Sequence, residues 1–160
     1  FNRGYKFYTF IPSNVYGPHD NFSLENSHVI GSLINKISNA KDKTINLIGS
    51  GIAKRDFLYI EDFIRAITSF LNNNTNKNAF YNLSSKKIIS IKTLAFIIKN
   101  IINPDIKIKF NNDGNDGSIF KSLDSKNFRN SFKWSEKDDI ESGISKTIKW
   151  YQSNVINKIR

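Results

Sequence analysis

Pro12–Val29, PSNVYGPHDNFSLENSHV, is the stretch from which the rest of the chain can be read. Just before it, Lys6–Ile11 (KFYTFI) alternates and is rich in aromatic and β-branched side chains, which predicts a short strand. Pro12 has no N–H to give to a sheet ladder, so the strand is expected to leave its sheet there, with Ser13 and Asn14 opening a polar loop. Tyr16-Gly17-Pro18 reads as a turn with Gly17 as its permissive residue. After the polar run containing His19, Asp20, Asn21 and Asn26, Ser27 is expected to cap a helix over about 27–39. Its apolar positions Val29, Ile30, Leu33, Ile34 and Ile37 recur at helical spacing. His28 then falls in the first turn of a helix beside the C-terminal end of a strand, which is where open α/β sheets bind ligands.

Downstream, Thr44–Ile48 (TINLI) predicts a strand running into Gly49-Ser50-Gly51. Two glycines around a serine invite a phosphate-loop reading, but neither glycine-rich phosphate pattern is present and a turn is expected. A strand over 55–60 leads into a helix with Glu61 and Asp62 in its first turn, where carboxylates suit the dipole; the pair is expected to be structural. Residues 72–78 (NNNTNKN) form a polar loop, and Ala79–Leu83 a strand apolar enough for a parallel sheet. Ser90 caps a helix carrying Leu94, Ala95, Ile97, Ile98, Ile101 and Ile102, ended by Asn103-Pro104. A strictly alternating strand follows over 106–110, with Lys107 and Lys109 on one face. A turn-rich loop over 111–118 then delivers Phe120 and Lys121, and helices are expected over 124–132 and 139–155. Alternation of strands and helices, with no repeat and no interdomain linker, predicts one α/β unit.

The chain has 160 residues, no cysteine and a formal charge of +10. Disulfides and cysteine chemistry within these residues are thereby excluded. Two histidines without paired ligand spacing argue against zinc. No apolar run is long enough to span a membrane and no leader pattern opens the sequence, so a cytoplasmic protein is expected. The lysines are scattered singly among asparagines and isoleucines, which reads as background composition; a basic nucleic-acid-binding module remains an alternative that predicts strongly salt-dependent binding.

Asn14…Tyr16-Gly17-Pro18-His19-Asp20-Asn21-Phe22…Asn26-Ser27-His28-Val29, with Gly49-Ser50-Gly51 and Arg55-Asp56-Phe57-Leu58, resembles the second half of the extended short-chain dehydrogenase/reductase family of nucleotide-sugar enzymes, and within it the fucose-synthase branch. The resemblance runs from Asn2 to about Tyr151. It implies that residues 1–160 are the C-terminal part of a Rossmann-type fold: the last strands of the sheet, near Phe7 and Ala79, plus a small α/β substrate lobe. The N-terminal cofactor-binding half would lie before Phe1, and FNRGYKF is expected to be the end of a helix turning into a strand.

That resemblance implies an NADP-dependent GDP-sugar 3,5-epimerase/4-reductase acting on a GDP-4-keto-6-deoxy-sugar, with a homodimeric full-length enzyme and no nucleic acid or membrane partner. Another nucleotide-sugar 4-epimerase, dehydratase or heptose-modifying enzyme of the family is the alternative. By resemblance His28 is the acid/base that exchanges a proton beside the ketone, work an imidazole can do near neutral pH. His19 has no counterpart role and reads as loop structure. Pro12, Ser13, Asn14 and Val15, with His28, match the segment beside the nicotinamide. Arg55 matches a substrate-binding arginine, whose fork of donors suits phosphate. Lys36, Lys107 and Lys121 match further basic contacts, the first two standing where the family has arginine. Lys121 lies in a matching Asp116-Gly117-x-x-x-Lys run. Ile48 stands where fucose synthases carry a substrate-contacting tryptophan. The glycine-rich dinucleotide loop, the catalytic Ser/Thr and the Tyr-x-x-x-Lys pair are absent from these residues, so ketone reduction by them alone is not expected.

Overall fold

A computed structural model describes residues 7–73, 79–111 and 116–156. The expected features at 1–6, 74–78 and 112–115 lie outside them. The first strand, β1 (Tyr8–Pro12), pairs in parallel with β5 (Ala79–Leu83), from Tyr8↔Ala79 to Pro12↔Leu83. One further backbone bond, Ser13 N to Leu83 O at 2.8 Å, closes this pair. Pro12 ends the ladder as expected, but no polar loop follows. The chain bends at Ser13 and enters a second sheet as β2 (Asn14–Tyr16), parallel to β4 (Lys54–Tyr59) with Asn14↔Phe57.

The helix α1 (Val29–Ser38) starts one residue later than expected, so His28 is its N-cap and no side chain caps it. The preceding turn is instead tied by Asn21, whose amide donates to Asn26 O at 3.1 Å and whose carbonyl oxygen accepts from Ser23 N at 2.9 Å. Gly31 packs on that turn, where a Cβ would meet Asn21 O at 2.4 Å. Strand β3 (Thr44–Ile48) pairs in parallel with β7 (Lys107–Asn111). On the edges of β4 lie two short strands that composition did not mark, β6 (Ile88–Ser90), antiparallel, and β8 (Phe120–Lys121), parallel. The helices are α2 (Ile60–Asn72), α3 (Ile91–Ile102), α4 (Lys126–Phe132) and α5 (Ile140–Tyr151), the last continued by a π-helical turn at Gln152–Ile156. Ser90 caps α3 as expected, its hydroxyl accepting from Thr93 N at 3.0 Å.

Alternation along β4 divides the interior. Phe57 and Tyr59 face a large, mainly aliphatic core built from α1, α3 and α5, including Ile30, Ile34, Leu94, Ile98, Ile144 and Ile148. Leu58 faces a smaller aromatic core of Phe70, Tyr81, Phe128, Phe132 and Trp134, with Tyr8 and Phe10 packed against it. The outer face of the β1–β5 ribbon leaves Phe7, Ile11 and Phe80 exposed. Asp62 is buried and accepts from the backbone N–H of Lys137 and Asp138 while pairing with Arg65, which makes it a staple between α2 and the segment before α5. Among the described residues no helix is long and apolar enough to cross a membrane.

Candidate active site

Where β1 hands over to β2, the ends of β3 and β4 and the start of α1 surround a cleft of about 640 Å³. Each wall follows from a local rule. Pro12 stops the β1 ladder and turns Ser13, Asn14 and Val15 across the floor. The uncapped start of α1 sets His28 at the rim, exposed, with its carbonyl accepting from Ser32 N at 2.9 Å. Ile48 and the turn after β3 close one side, and Arg55 projects from β4. Gly49 and Gly51 have φ of 91° and 74°, so the segment is the expected turn rather than a phosphate loop.

The residues singled out from sequence as Pro12, Ser13, Asn14, Val15, His28, Ile48 and Arg55 thus line one cleft although they span more than forty positions. Lys121 is in register with Arg55 across β4 and β8, but lines an adjoining hollow of about 100 Å³ together with Pro12, Ser13 and Asn14. Lys36 and Lys107 line neither. Lys36 is in the last turn of α1, two helical turns beyond His28 and so about 12 Å along the axis. Lys107 begins β7 opposite Thr44, at the far end of the ladder from Ile48. His19 adopts a left-handed φ of 67° and packs on Trp150 with ring centroids 4.5 Å apart, away from the cleft. The described residues contain no cluster of groups suited to a metal.

The sequence reading gave no role to Asp116 and Asp20, which also line the cleft. Asp116 accepts from Ser50 N at 2.8 Å and from the Ser50 hydroxyl, and these bonds hold its carboxyl below the usual range. Asp20 accepts from Asn21 N at 2.7 Å through one oxygen. Both stand inside runs that match the family, but the cleft-lining place of Asp116 comes from a bond to a turn sixty-six positions away, which no local pattern shows.

The residues beside the expected nicotinamide have few groups left to offer. Ser13 N is committed to Leu83 O, and the Asn14 amide N–H donates to Asp56 O at 2.8 Å. Among the described residues the Ser13 hydroxyl is buried without a partner, and Asn14 engages its amide N–H but not its side-chain carbonyl oxygen. An acceptor and a hydroxyl at this point suit a carboxamide, so the segment fits the ring that the resemblance implies.

A cleft at the carboxyl ends of parallel strands, floored by a strand-to-strand crossing and rimmed by a helix start, defines a Rossmann-type α/β protein. The chain belongs to the NAD dependent epimerase/dehydratase family, whose profile it matches over residues 2–84. Among curated relatives it is 36% identical to a GDP-L-fucose synthase of Sinorhizobium fredii over 155 residues, covering 95% of this chain and 49% of that one. It is 32% identical to GDP-L-fucose synthase 1 of Arabidopsis thaliana, covering 92% and 46%. Among solved structures, the GDP-L-fucose synthetase of Naegleria fowleri bound to NADP superposes with a TM-score of 0.84 at 29% identity, over 91% of this chain and 44% of that one. The chain spans about half the length of the curated relatives it matches.

Proposed function

We propose that these residues form the sugar-nucleotide half of a GDP-4-keto-6-deoxy-sugar 3,5-epimerase/4-reductase that uses NADP(H). The observation that carries the reading is the meeting of His28, Arg55 and the Pro12–Val15 crossing in one cleft. Two further features support it. Arg55 and Lys121 stand in register on neighbouring parallel strands, which sets two cationic side chains on one side of the sheet beside the cleft and its adjoining hollow, a placement that suits an anion. The bare apolar face of β1–β5 is unusual for parallel strands, which are as a rule covered on both faces, and the relatives are about twice as long.

In this mechanism Arg55 and Lys121 hold the diphosphate, which fixes the sugar against the floor of the cleft. The His28 imidazole takes a proton from the carbon beside the C4 ketone and returns one, inverting the centre with a partner group from outside these residues. The Asn14 carbonyl oxygen and the Ser13 hydroxyl orient the nicotinamide. NADPH, when bound, supplies the hydride that reduces the ketone. Ile48 is 76% exposed and offers no aromatic face, which favours a second reading, a different nucleotide-sugar epimerase or dehydratase of the same family.

Titration of the full chain with GDP, UDP and a single-stranded oligonucleotide tests the proposal. GDP is expected to bind and to lose about ten-fold or more in affinity on Arg55→Ala, the weight of one charge-assisted contact. Preference for UDP would support the second reading, and tight salt-sensitive oligonucleotide binding without GDP binding would refute both. In deuterated water, His28→Gln in the complete enzyme should abolish exchange at the carbons beside the ketone while leaving GDP binding within about two-fold, since the imidazole is not asked to hold the diphosphate. NADPH-dependent turnover by these 160 residues alone would contradict the proposed division of labour.

A further inference from the structure

The basic residue beside Arg55 is carried by a strap, residues 116–123, that crosses the edge of β4 and is pinned at three places. At its front, Asp116 accepts from Ser50 N and the Ser50 hydroxyl, joining the strap to the glycine turn on the facing wall of the cleft. Gly49 is the residue that permits this approach, since a Cβ there would meet Asp116 Oδ1 at 2.5 Å. In the middle, Lys54 N donates to Ile119 O at 2.8 Å and β8 sets Lys121 in register with Arg55. At its back, Asp56 takes the Ser122 hydroxyl at 2.7 Å and Leu123 N at 3.1 Å on one carboxylate oxygen. Asp56 is fully buried, and among the described residues no cation pairs with it and its other oxygen has no hydrogen-bond partner. Burying a carboxylate on neutral donors is costly, so its retention calls for something other than stability.

We propose, on the reading of the cleft as a GDP-sugar site, that Asp116 and Asp56 are positioning residues: they clamp the strap at both ends so that Lys121 is presented beside Arg55 to the diphosphate. A lysine side chain is long and flexible, and fixing the backbone on either side of it reduces the ordering that binding must impose. Neither carboxylate touches the ligand; a carboxylate aimed at a diphosphate would repel it, and hydrogen bonds to Ser50 and Ser122 turn both charges onto protein donors.

A double-mutant cycle on the full chain with GDP as the probe decides the matter, with unfolding midpoints recorded for every variant. Lys121→Ala is expected to weaken GDP binding about ten-fold, and Asp116→Ala by a similar factor, while Asp116→Asn, which keeps an acceptor for Ser50, recovers most of the loss. The double variant Asp116→Ala with Lys121→Ala should bind no worse than Lys121→Ala alone, a pattern that general loosening of the fold does not produce. Ser122→Ala, which spares the buried carboxylate itself, should behave like Asp116→Ala. Losses that multiply in the double variant, or an Asp116→Ala chain that binds GDP as well as the parent, would overturn the inference. If the parent binds GDP and Arg55→Ala weakens that binding as expected, a failure of the Asp116 and Ser122 variants to follow this pattern belongs to the strap alone; if the parent ignores GDP, the proposed function falls and takes the strap with it.

Discussion

The two cores on either side of β4 solve the same packing problem differently. The larger one is built mainly from isoleucines and leucines of α1, α3 and α5, with Tyr16, Phe22, Phe57, Tyr59 and Tyr151 among them. The smaller one is a cage of rings: Phe70 lies edge-on to Tyr8 and Phe10 at 4.7 and 5.0 Å, and Tyr81 lies edge-on to Phe128 and Phe132 at 5.5 and 5.4 Å. It is sealed by a polar lock. Arg129 gives its guanidinium to both Glu136 oxygens, Ser84 O and the Ser125 hydroxyl, and lies 4.6 Å above the Trp134 ring. A small core buries too little area to stand alone, and directional contacts make up part of the difference. The ring cage holds β1 and β5, and the aliphatic core holds the helix carrying His28, so the cleft lies on the seam where a specified half meets a tolerant one.

The lock is where that contrast should break most visibly. Arg129→Ala leaves Glu136 half-buried without its cation and Ser84 O with only the Ser125 hydroxyl as donor, and is expected to cost about 3–5 kcal/mol. For a chain of this length that lowers the unfolding midpoint by roughly 10 °C, with near-ultraviolet circular dichroism from the rings lost before helical signal. The same lock predicts a pH response. Burial pushes the Glu136 carboxyl up, but the Arg129 hydrogen bond and charge, with Lys86 N, outweigh it and leave it below its usual range. A depressed carboxyl contributes stability that is complete above its unfolded value, about 4.3, and fades as pH falls through the folded one. Glu136→Gln should therefore be less stable than the parent at pH 7 and approach it as pH falls from about 4.3 through the depressed folded value; parallel pH curves would remove the lock from the explanation.

Gly143 probes the seam itself. In a helix interior, Gly→Ala ordinarily gains about 1 kcal/mol from propensity. Here the new Cβ would meet the Tyr16 hydroxyl at 2.2 Å and the Tyr59 ring at 3.2 Å, where α5 rides over β2 and β4. Tyr16 is itself buried in the core, so its ring has little room to move aside. Overpacking wins, and Gly143→Ala is expected to destabilise by about 1–3 kcal/mol, with part of the loss recovered in a Tyr16→Phe background. A gain in midpoint would show that the seam yields as readily as the aliphatic interior.

What could be read from residues alone followed the same division. Helices of the aliphatic half announce themselves: Leu94, Ala95 and Ile98 recur at helical spacing behind a Ser90 cap, and β3 sets Ile45, Leu47 and Ile48 in a short run that ends at glycine. Strands of two or three residues carry no such period. Asn14–Tyr16, Ile88–Ser90 and Phe120–Lys121 are strands because β4 offers them an edge, which is information held elsewhere in the chain. The placement of the α1 cap on His28 rather than Ser27 reflects Asn21 fixing the turn before it. In the site, a long contiguous motif located the floor and rim correctly as neighbours. Correspondence one residue at a time brought in Lys36 and Lys107, which the helix and ladder carry away from the cleft, and gave Asp116 no part beyond its run, because that part depends on a turn sixty-six positions away.

The smallest effect tests the tolerant half directly. Ile148 is almost fully buried on α5 in the larger, mainly aliphatic core. Exchange for leucine conserves volume and moves one methyl group along the chain, and neighbours such as Ile144 and Leu94 can repack around it without losing any directional contact. The expected cost is below about 1.5 kcal/mol, read as a shift in denaturant midpoint at constant slope. Removing a ring from the cage instead forfeits edge-to-face pairs that no aliphatic side chain can replace, each worth about 0.5–1.5 kcal/mol beyond its buried area. An Ile148→Leu chain that lost as much stability as Arg129→Ala would mean that the aliphatic interior is held as tightly as the cage, and that the flexibility a closing substrate cleft needs must come from the strap and turns rather than from the helices beneath them.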